Sequence, residues 1–157
     1  MKKIFAAILA LAVMLTAAGA LAEKTQTVEL KEVGLSIELP KSWKEEEGGL
    51  ANGMAGILYS YAEKEGLPGL VVCRLGMDQD LSVEDLCKKL SESMPNAKVI
   101  EVAGVEGVQC INEKNGMFQF AWPNADKTKL NVMMFAVIDE EHPQEFFEEI
   151  LLSAKPL

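Results

Sequence analysis

Leu130-Asn131-Val132-Met133-Met134-Phe135-Ala136-Val137-Ile138 is apolar on both of its alternating faces, with Val132, Met134 and Ala136 on one and Met133, Phe135 and Val137 on the other. Successive side chains of a strand point to opposite sides of a sheet. A strand apolar on both sides therefore belongs in the middle of a sheet that is covered on both sides. The cover has to come from the rest of the chain, and the rest of the chain contains helices.

Working outward from that strand, Asn124 to Thr128 is a polar turn. Before it, Gly107 to Glu113 meets Met117 to Trp122 through Asn115-Gly116, a strong hairpin signal. Phe118, Phe120 and Trp122 alternate on one face. Lys98 to Ala103 is a further strand. Upstream, Leu81 to Met94 reads as a helix: Ser82 suits the N-cap, Asp85 stands three residues on, and Val83, Leu86, Cys87, Leu90 and Met94 form one stripe before Pro95. Nearer the start, Thr27 to Val33 and Leu35 to Leu39 alternate with period two around Gly34, and Pro40 ends them. Lys44 to Gly53 reads as an exposed loop. Met54 to Ala62 and Leu70 to Gly76 read as strands joined by the turn Glu65 to Gly69. Downstream, Pro143 to Ala154 is a second helix. Pro143 suits its first position, and Phe146, Phe147, Ile150, Leu151 and Ala154 make its buried face. The order is strands, helix, four strands, helix, without a repeated βα unit. That is an α+β domain with a mainly antiparallel sheet flanked by helices.

The first residues have a different character. Lys2-Lys3 precedes the apolar run Ile4 to Leu15, and Thr16 to Ala22 ends in the small-residue pattern Ala20-Leu21-Ala22. These are the three parts of a secretory signal peptide, residues 1–22, leaving one domain over 23–157. The uncharged stretch Ile4 to Ala22 approaches the length of a membrane span, but its second half suits cleavage better. Lys2 and Lys3 are two of the 15 bases, and all 24 acids follow Ala22, so the mature chain carries 13 − 24 = −11. So negative a surface repels phosphate backbones and anionic lipid, which argues against nucleic-acid and membrane-surface partners. The expected place is extracytoplasmic, secreted or periplasmic, with no membrane anchor after cleavage.

Export permits disulfides, but three cysteines, Cys73, Cys87 and Cys110, do not make a disulfide scaffold. Cys73 and Cys110 lie in strand-like runs and can pair only if those strands are neighbours. The plainer expectation is buried thiols filling space. Cys87 with His142, the single histidine, is the one possible thiol–imidazole pair, yet Cys87 falls on a buried stripe. His142 itself reads as a surface or helix-capping residue before Pro143. Arg74 is the only arginine, so a bidentate clamp for carboxylate or phosphate rests on it or on lysines. Asp78, Asp80, Glu84 and Asp85 gather four acids around the start of the first helix. Asp78, Asp80 and Glu84 are candidate calcium ligands, although Ser82, Glu84 and Asp85 are already accounted for by capping. No metal-binding, nucleophile-elbow, P-loop or dinucleotide pattern occurs, and no cofactor is implied.

Gly34-Leu35-Ser36-Ile37-Glu38-Leu39-Pro40-Lys41-Ser42-Trp43 resembles the opening motif of PsbP-like domains: an alternating strand, then Pro, two residues, and Trp. The closing stretch Phe146 to Lys155, a helix running into Ile-Leu-Leu-Ser-Ala-Lys, resembles their end. Between them, Leu81 to Glu84 opening a helix, the Gly-containing strand Val102 to Val108 and the hairpin follow in the same order. The resemblance spans nearly all of residues 26–157. It implies an antiparallel sheet sandwiched between helices, an α/β/α arrangement shared by extrinsic photosystem subunits, a Ran-binding nuclear protein and many small exported bacterial proteins. It also implies an accessory or binding role without catalytic residues to carry over. A bacterial-type export signal implies no photosynthetic role. The expected function is an exported, non-catalytic module with a protein or small-molecule partner in the cell envelope or medium. The alternatives are a weak extracytoplasmic calcium-binding protein or a hydrolase built on carboxylates. Pro40 and Trp43 are expected to serve packing, Pro40 by ending a strand and Trp43 by folding back over the sheet edge.

Overall fold

The computed structural model describes residues 24–46, 56–64, 67–77 and 81–157. The signal segment 1–22, most of the expected loop at 44–53, and Asp78 and Asp80 lie outside the described residues.

The strands are β1 (Thr25–Leu30), β2 (Leu35–Pro40), β3 (Lys44–Glu45), β4 (Ile57–Lys64), β5 (Leu67–Gly76), β6 (Lys98–Val102), β7 (Val105–Asn112), β8 (Met117–Pro123), β9 (Lys129–Ala136) and β10 (Lys155–Pro156). Helix α1 is Val83–Ser91 and helix α2 is Gln144–Leu152. A seven-stranded sheet runs β3-β4-β5-β9-β8-β7-β6, and a three-stranded sheet runs β1-β2-β10. Every pairing is antiparallel. β9 has three strands on each side of it, the central place that its two apolar faces require.

The two faces of β9 belong to two cores. Met133 and Phe135 join Leu70, Val72, Phe118, Phe120 and Trp122 from neighbouring strands. They meet Leu30, Leu35, Ile37 and Leu39 of the small sheet and Phe147, Ile150 and Leu151 of α2. On the other face Val132, Cys73, Ala121 and Val108 meet Leu86 of α1, with Val83, Cys87 and Leu90 packed around them. One face is thus covered by a helix, as expected. The other is covered largely by a second sheet, with α2 beside it. The sequence reading did not separate the small sheet, because Leu30, Leu35, Ile37 and Leu39 alternate like any half-buried strand pair and do not disclose which sheet they join.

Several bounds shift for local reasons. β1 stops at Leu30, and Lys31–Val33 forms a 3-10 turn that closes on Gly34, whose φ of 70° is the left-handed conformation glycine accepts readily. Part of the expected exposed loop is strand: Lys44 and Glu45 pair with Ala62 and Tyr61. α1 begins after Ser82, whose hydroxyl accepts the Asp85 N–H at 3.1 Å, and it ends at Ser91 rather than Met94. Pro143 is the N-cap of α2, not its first helical residue. β10, too short to show a period, zips the end of the chain onto β2, and the Leu157 N–H reaches the Gly34 carbonyl at 3.1 Å. Trp43 is buried against Phe146, ring centroids 6.2 Å apart, as its packing reading requires. Among the described residues no helix is long and apolar enough to cross a membrane.

Candidate functional site

Position 131 breaks the apolar run of β9. Asn131 faces the same side as Met133 and Phe135 but lies nearer the end of the strand. Arg74 of β5 and Trp122 of β8 stand directly opposite it on either side. Arg74, Asn131 and Trp122 therefore form one row across three strands. With strands about 4.8 Å apart, the row spans about 10 Å. It floors a cleft of about 580 Å³ at the end of the large core. The 3-10 turn supplies one wall through Glu32, Val33 and Gly34. The β6–β7 turn supplies another through Gly104, Val105 and Glu106, and the β8–β9 turn contributes Pro123, Asn124 and Ala125. The volume lies within the usual range for small-molecule sites.

Arg74 is held on two sides. Its Nε donates to Asn131 Oδ1 at 2.9 Å, and its Nη2 donates to the Glu32 carbonyl. The Glu32 N–H in turn donates to the Tyr59 hydroxyl at 3.0 Å, so both backbone polar groups of Glu32 are gripped by side chains of the large sheet. Those contacts seat the 3-10 turn as a wall. The Glu32 carboxylate is held far less firmly: Oε2 lies 4.0 Å from Nη1, and its side chain is 61% exposed against 25% for Arg74. Charge-assisted hydrogen bonds are normally about 2.7–2.9 Å long. The guanidinium is thus fixed in orientation by two bonds, while among the described residues its Nη1 edge has only a distant ionic neighbour.

The β8–β9 wall is ordered by its own polar contacts. Asn124 N–H donates to the Lys129 carbonyl at 2.8 Å, and Asn124 Oδ1 accepts the Lys129 N–H at 2.9 Å. Asp126 accepts from the Thr128 hydroxyl and N–H, which holds its carboxyl below the usual range. The β7 strand comes close beside the row because Gly107 has no side chain: a Cβ there would meet Phe120 ring carbon at 2.6 Å and the Ala121 carbonyl oxygen at 2.8 Å.

The structure disperses most of the residues that the sequence singled out. His142 Nδ1 lies 3.2 Å from Asp139 Oδ1, its ring packs edge-on against Phe146 at 5.2 Å, and its side chain is 17% exposed. Asp139 Oδ1 also accepts the His142 and Glu141 N–H groups. The His142 backbone bond is the leading cause of the lowered Asp139 pKa. This is a capped turn leading into α2. Cys87 lies on α1 over the opposite face of the sheet, in the second core, so the thiol–imidazole pair is not assembled. Cys87 is only half-buried, less than its place on the helical stripe suggested.

Cys73 and Cys110 are buried free thiols. Their strands are separated by β9 and β8, so they stand three strand spacings, about 14 Å, apart. A disulfide needs Cα atoms within about 7 Å. The pairing that the sequence left open is excluded on that ground. Burial raises both thiols, and with Cys87 nearby Cys110 is pushed up to about 11. Of the calcium candidates, Asp78 and Asp80 are outside the described residues, and Glu84 is exposed in the first turn of α1. Among the described residues no three such groups gather to hold a metal ion.

Of the cleft, the sequence offered only Arg74. The missed signal was Asn131: one amide inside a run apolar on both faces has to find a buried partner. Glu32, Trp122 and Asn124 come from distant segments and carry no mutual spacing that a single sequence displays.

No protein-family model matches the chain, and no curated protein matches it by sequence. Solved structures do. The solution structure of cyanobacterial PsbP (CyanoP) from Synechocystis sp. PCC 6803 aligns with a TM-score of 0.59 over 85% of this chain and 93% of that one, at 13% identity. The fold is that of a PsbP-like domain. A Bacteroides thetaiotaomicron crystal structure aligns at a TM-score of 0.49 and 12% identity, over 85% of this chain and 48% of that one. The antiparallel sheet that dominates the structure goes with that fold.

Proposed function

We propose that this PsbP-like domain is an exported, non-catalytic accessory module that meets its partner or ligand at the Arg74 cleft. The observation that carries the reading is the cleft itself. It joins a guanidinium fixed by Asn131 and the Glu32 carbonyl, an indole and three turn walls in one concave surface. A few convergent polar groups set beside apolar surface are the usual composition of a binding site. The walls are turns on a rigid sheet, the ordinary arrangement for recognition.

The competing reading is a hydrolase built on carboxylates. It needs a poised acid–base pair, which arises when environment drives two pKa values apart. Among the described residues the carboxyls with a resolved shift, Asp126 and Asp139, are both exposed and both lowered by hydrogen bonds in turns. That supports a binding module over an acid–base catalyst. The −11 charge of the expected mature chain suits a cell-envelope or medium partner that is not polyanionic.

Two measurements test the proposal. N-terminal sequencing from the native host should find Glu23 first, and an intact Met1 in the membrane fraction contradicts export. A broad turnover screen should find no activity. Hydrolysis that disappears on replacing Asp139 or His142, with the fold intact, overturns the non-catalytic reading.

A further inference from the structure

We propose that the Arg74 cleft binds a single carboxylate carried on an apolar body, with the ligand carboxylate taking the position beside Arg74 that the Glu32 side chain now holds. This rests on the cleft being the binding face.

A guanidinium has five N–H groups in a rigid fork. One on Nε is used by Asn131, and one on Nη2 by the Glu32 carbonyl. Among the described residues three remain on the Nη edge without a hydrogen bond, and the carboxylate oxygen paired with them, Glu32 Oε2, is at 4.0 Å from Nη1. That separation is an ion pair without a hydrogen bond. Glu32 is tied through its backbone, not its carboxylate, so its side chain can swing out to solvent without releasing the wall. A ligand carboxylate placed on the same edge makes the short contacts that Glu32 does not make. Arginine suits this role because its fork matches a carboxylate in one plane.

The rest of the cleft selects the remainder of the ligand. Val33, Val105, Trp122, Pro123 and Ala125 offer apolar surface along the row. Glu106 at the far rim and the negative field of the whole chain oppose a second anionic group, so dicarboxylates and phosphates are disfavoured. A small organic acid and the carboxyl terminus of a peptide both present this chemistry.

The test is calorimetric titration of the exported chain with 3-phenylpropionate and with N-acetyl-alanyl-phenylalanine, each alongside its amide. Both acids should bind, or the peptide acid alone if a chain terminus is the source. The amides should be weaker by about ten- to a hundredfold, the difference expected for losing hydrogen bonds to a charged group. Glu32→Gln removes the competing carboxylate and keeps the backbone contacts, so it should tighten binding severalfold. Arg74→Lys keeps the charge but loses the fork, and should weaken binding about tenfold or more. Equal binding of acid and amide, weaker binding by Glu32→Gln, or no saturable binding by either acid up to about 1 mM overturns the proposal. If neither acid binds but a native partner still cross-links from the cleft wall, the carboxylate inference falls while the binding-face reading stands.

Discussion

Replacing Arg74 with Met tests the construction of the cleft. Methionine keeps an unbranched apolar stem and removes the guanidinium, so the loss is mainly polar. Asn131 is 4% exposed, and its Oδ1 would lose the donor that satisfies it. A buried acceptor left without a partner costs about 1–3 kcal/mol. The Glu32 carbonyl sits on an exposed turn where water replaces the lost donor, so its share is at most about 0.5–1.5 kcal/mol. The Glu32 carboxylate, at 4.0 Å and mostly solvated, adds about 0–1 kcal/mol. Together these predict a loss of about 2–3 kcal/mol, weighted toward the Asn131 bond. Urea unfolding followed by tryptophan fluorescence measures it, and an unchanged slope with denaturant shows that the unfolding transition is the same. A second substitution, Asn131→Leu, removes the orphaned acceptor, so the double variant should recover about 1–2 kcal/mol of the summed losses. A loss below about 0.5 kcal/mol for Arg74→Met, with no coupling to position 131, would refute the clamp.

Two further outcomes follow from the cores and the thiols. Phe135 is fully buried against Phe118 at 5.6 Å and Phe147 at 5.7 Å, so Phe135→Ala should cost about 3–5 kcal/mol, whereas half-buried Met134 on the opposite face should cost less; equal small losses below about 1 kcal/mol contradict the two-core sheet. Alkylation at neutral pH should label half-buried Cys87 before Cys73 and Cys110, and labelling of Cys110 should accelerate only as pH nears about 11. The fold favours the protonated Cys110 thiol, so its contribution is fully present below about 9 and is lost as pH rises from 9.0 to about 11; Cys110→Ala should flatten the stability profile in that window.

The legible parts of the fold were those in which one residue pattern admits one physical arrangement. The run from Leu130 had to be central, because nothing else buries both faces of a strand, and β9 is central. Ser82 marked the start of α1 because its hydroxyl is chemically suited to an unpaired helix N–H. Sheet membership was not legible. β1 and β2 alternate inward and outward like members of the large sheet, and only the tertiary arrangement turns them, with the short exposed β10, into its cover. The site was harder still. Arg74 stood out as the chain's only arginine, but its orientation depends on Asn131 from a strand 57 residues away and on the Glu32 backbone 42 residues away. Backbone acceptors leave no trace in a sequence, and the amide in β9 was overshadowed by the apolar residues around it. The acids near α1 drew attention by proximity in sequence, yet Glu84 and Asp85 sit where the helix dipole and the Ser82 cap place them.

The central claim is that this domain recognises its partner through the Arg74 cleft, and site-specific photo-cross-linking tests it most directly. A photoreactive side chain at Asn124, on the cleft wall, is compared in the native cell envelope with one at Glu84, on the exposed side of α1. The account predicts a discrete adduct from position 124 that disappears with Arg74→Lys in a chain that remains folded at the assay temperature, and none from position 84. An adduct from position 84 that is indifferent to Arg74, with none from 124, would contradict it and move recognition to the helix-covered face.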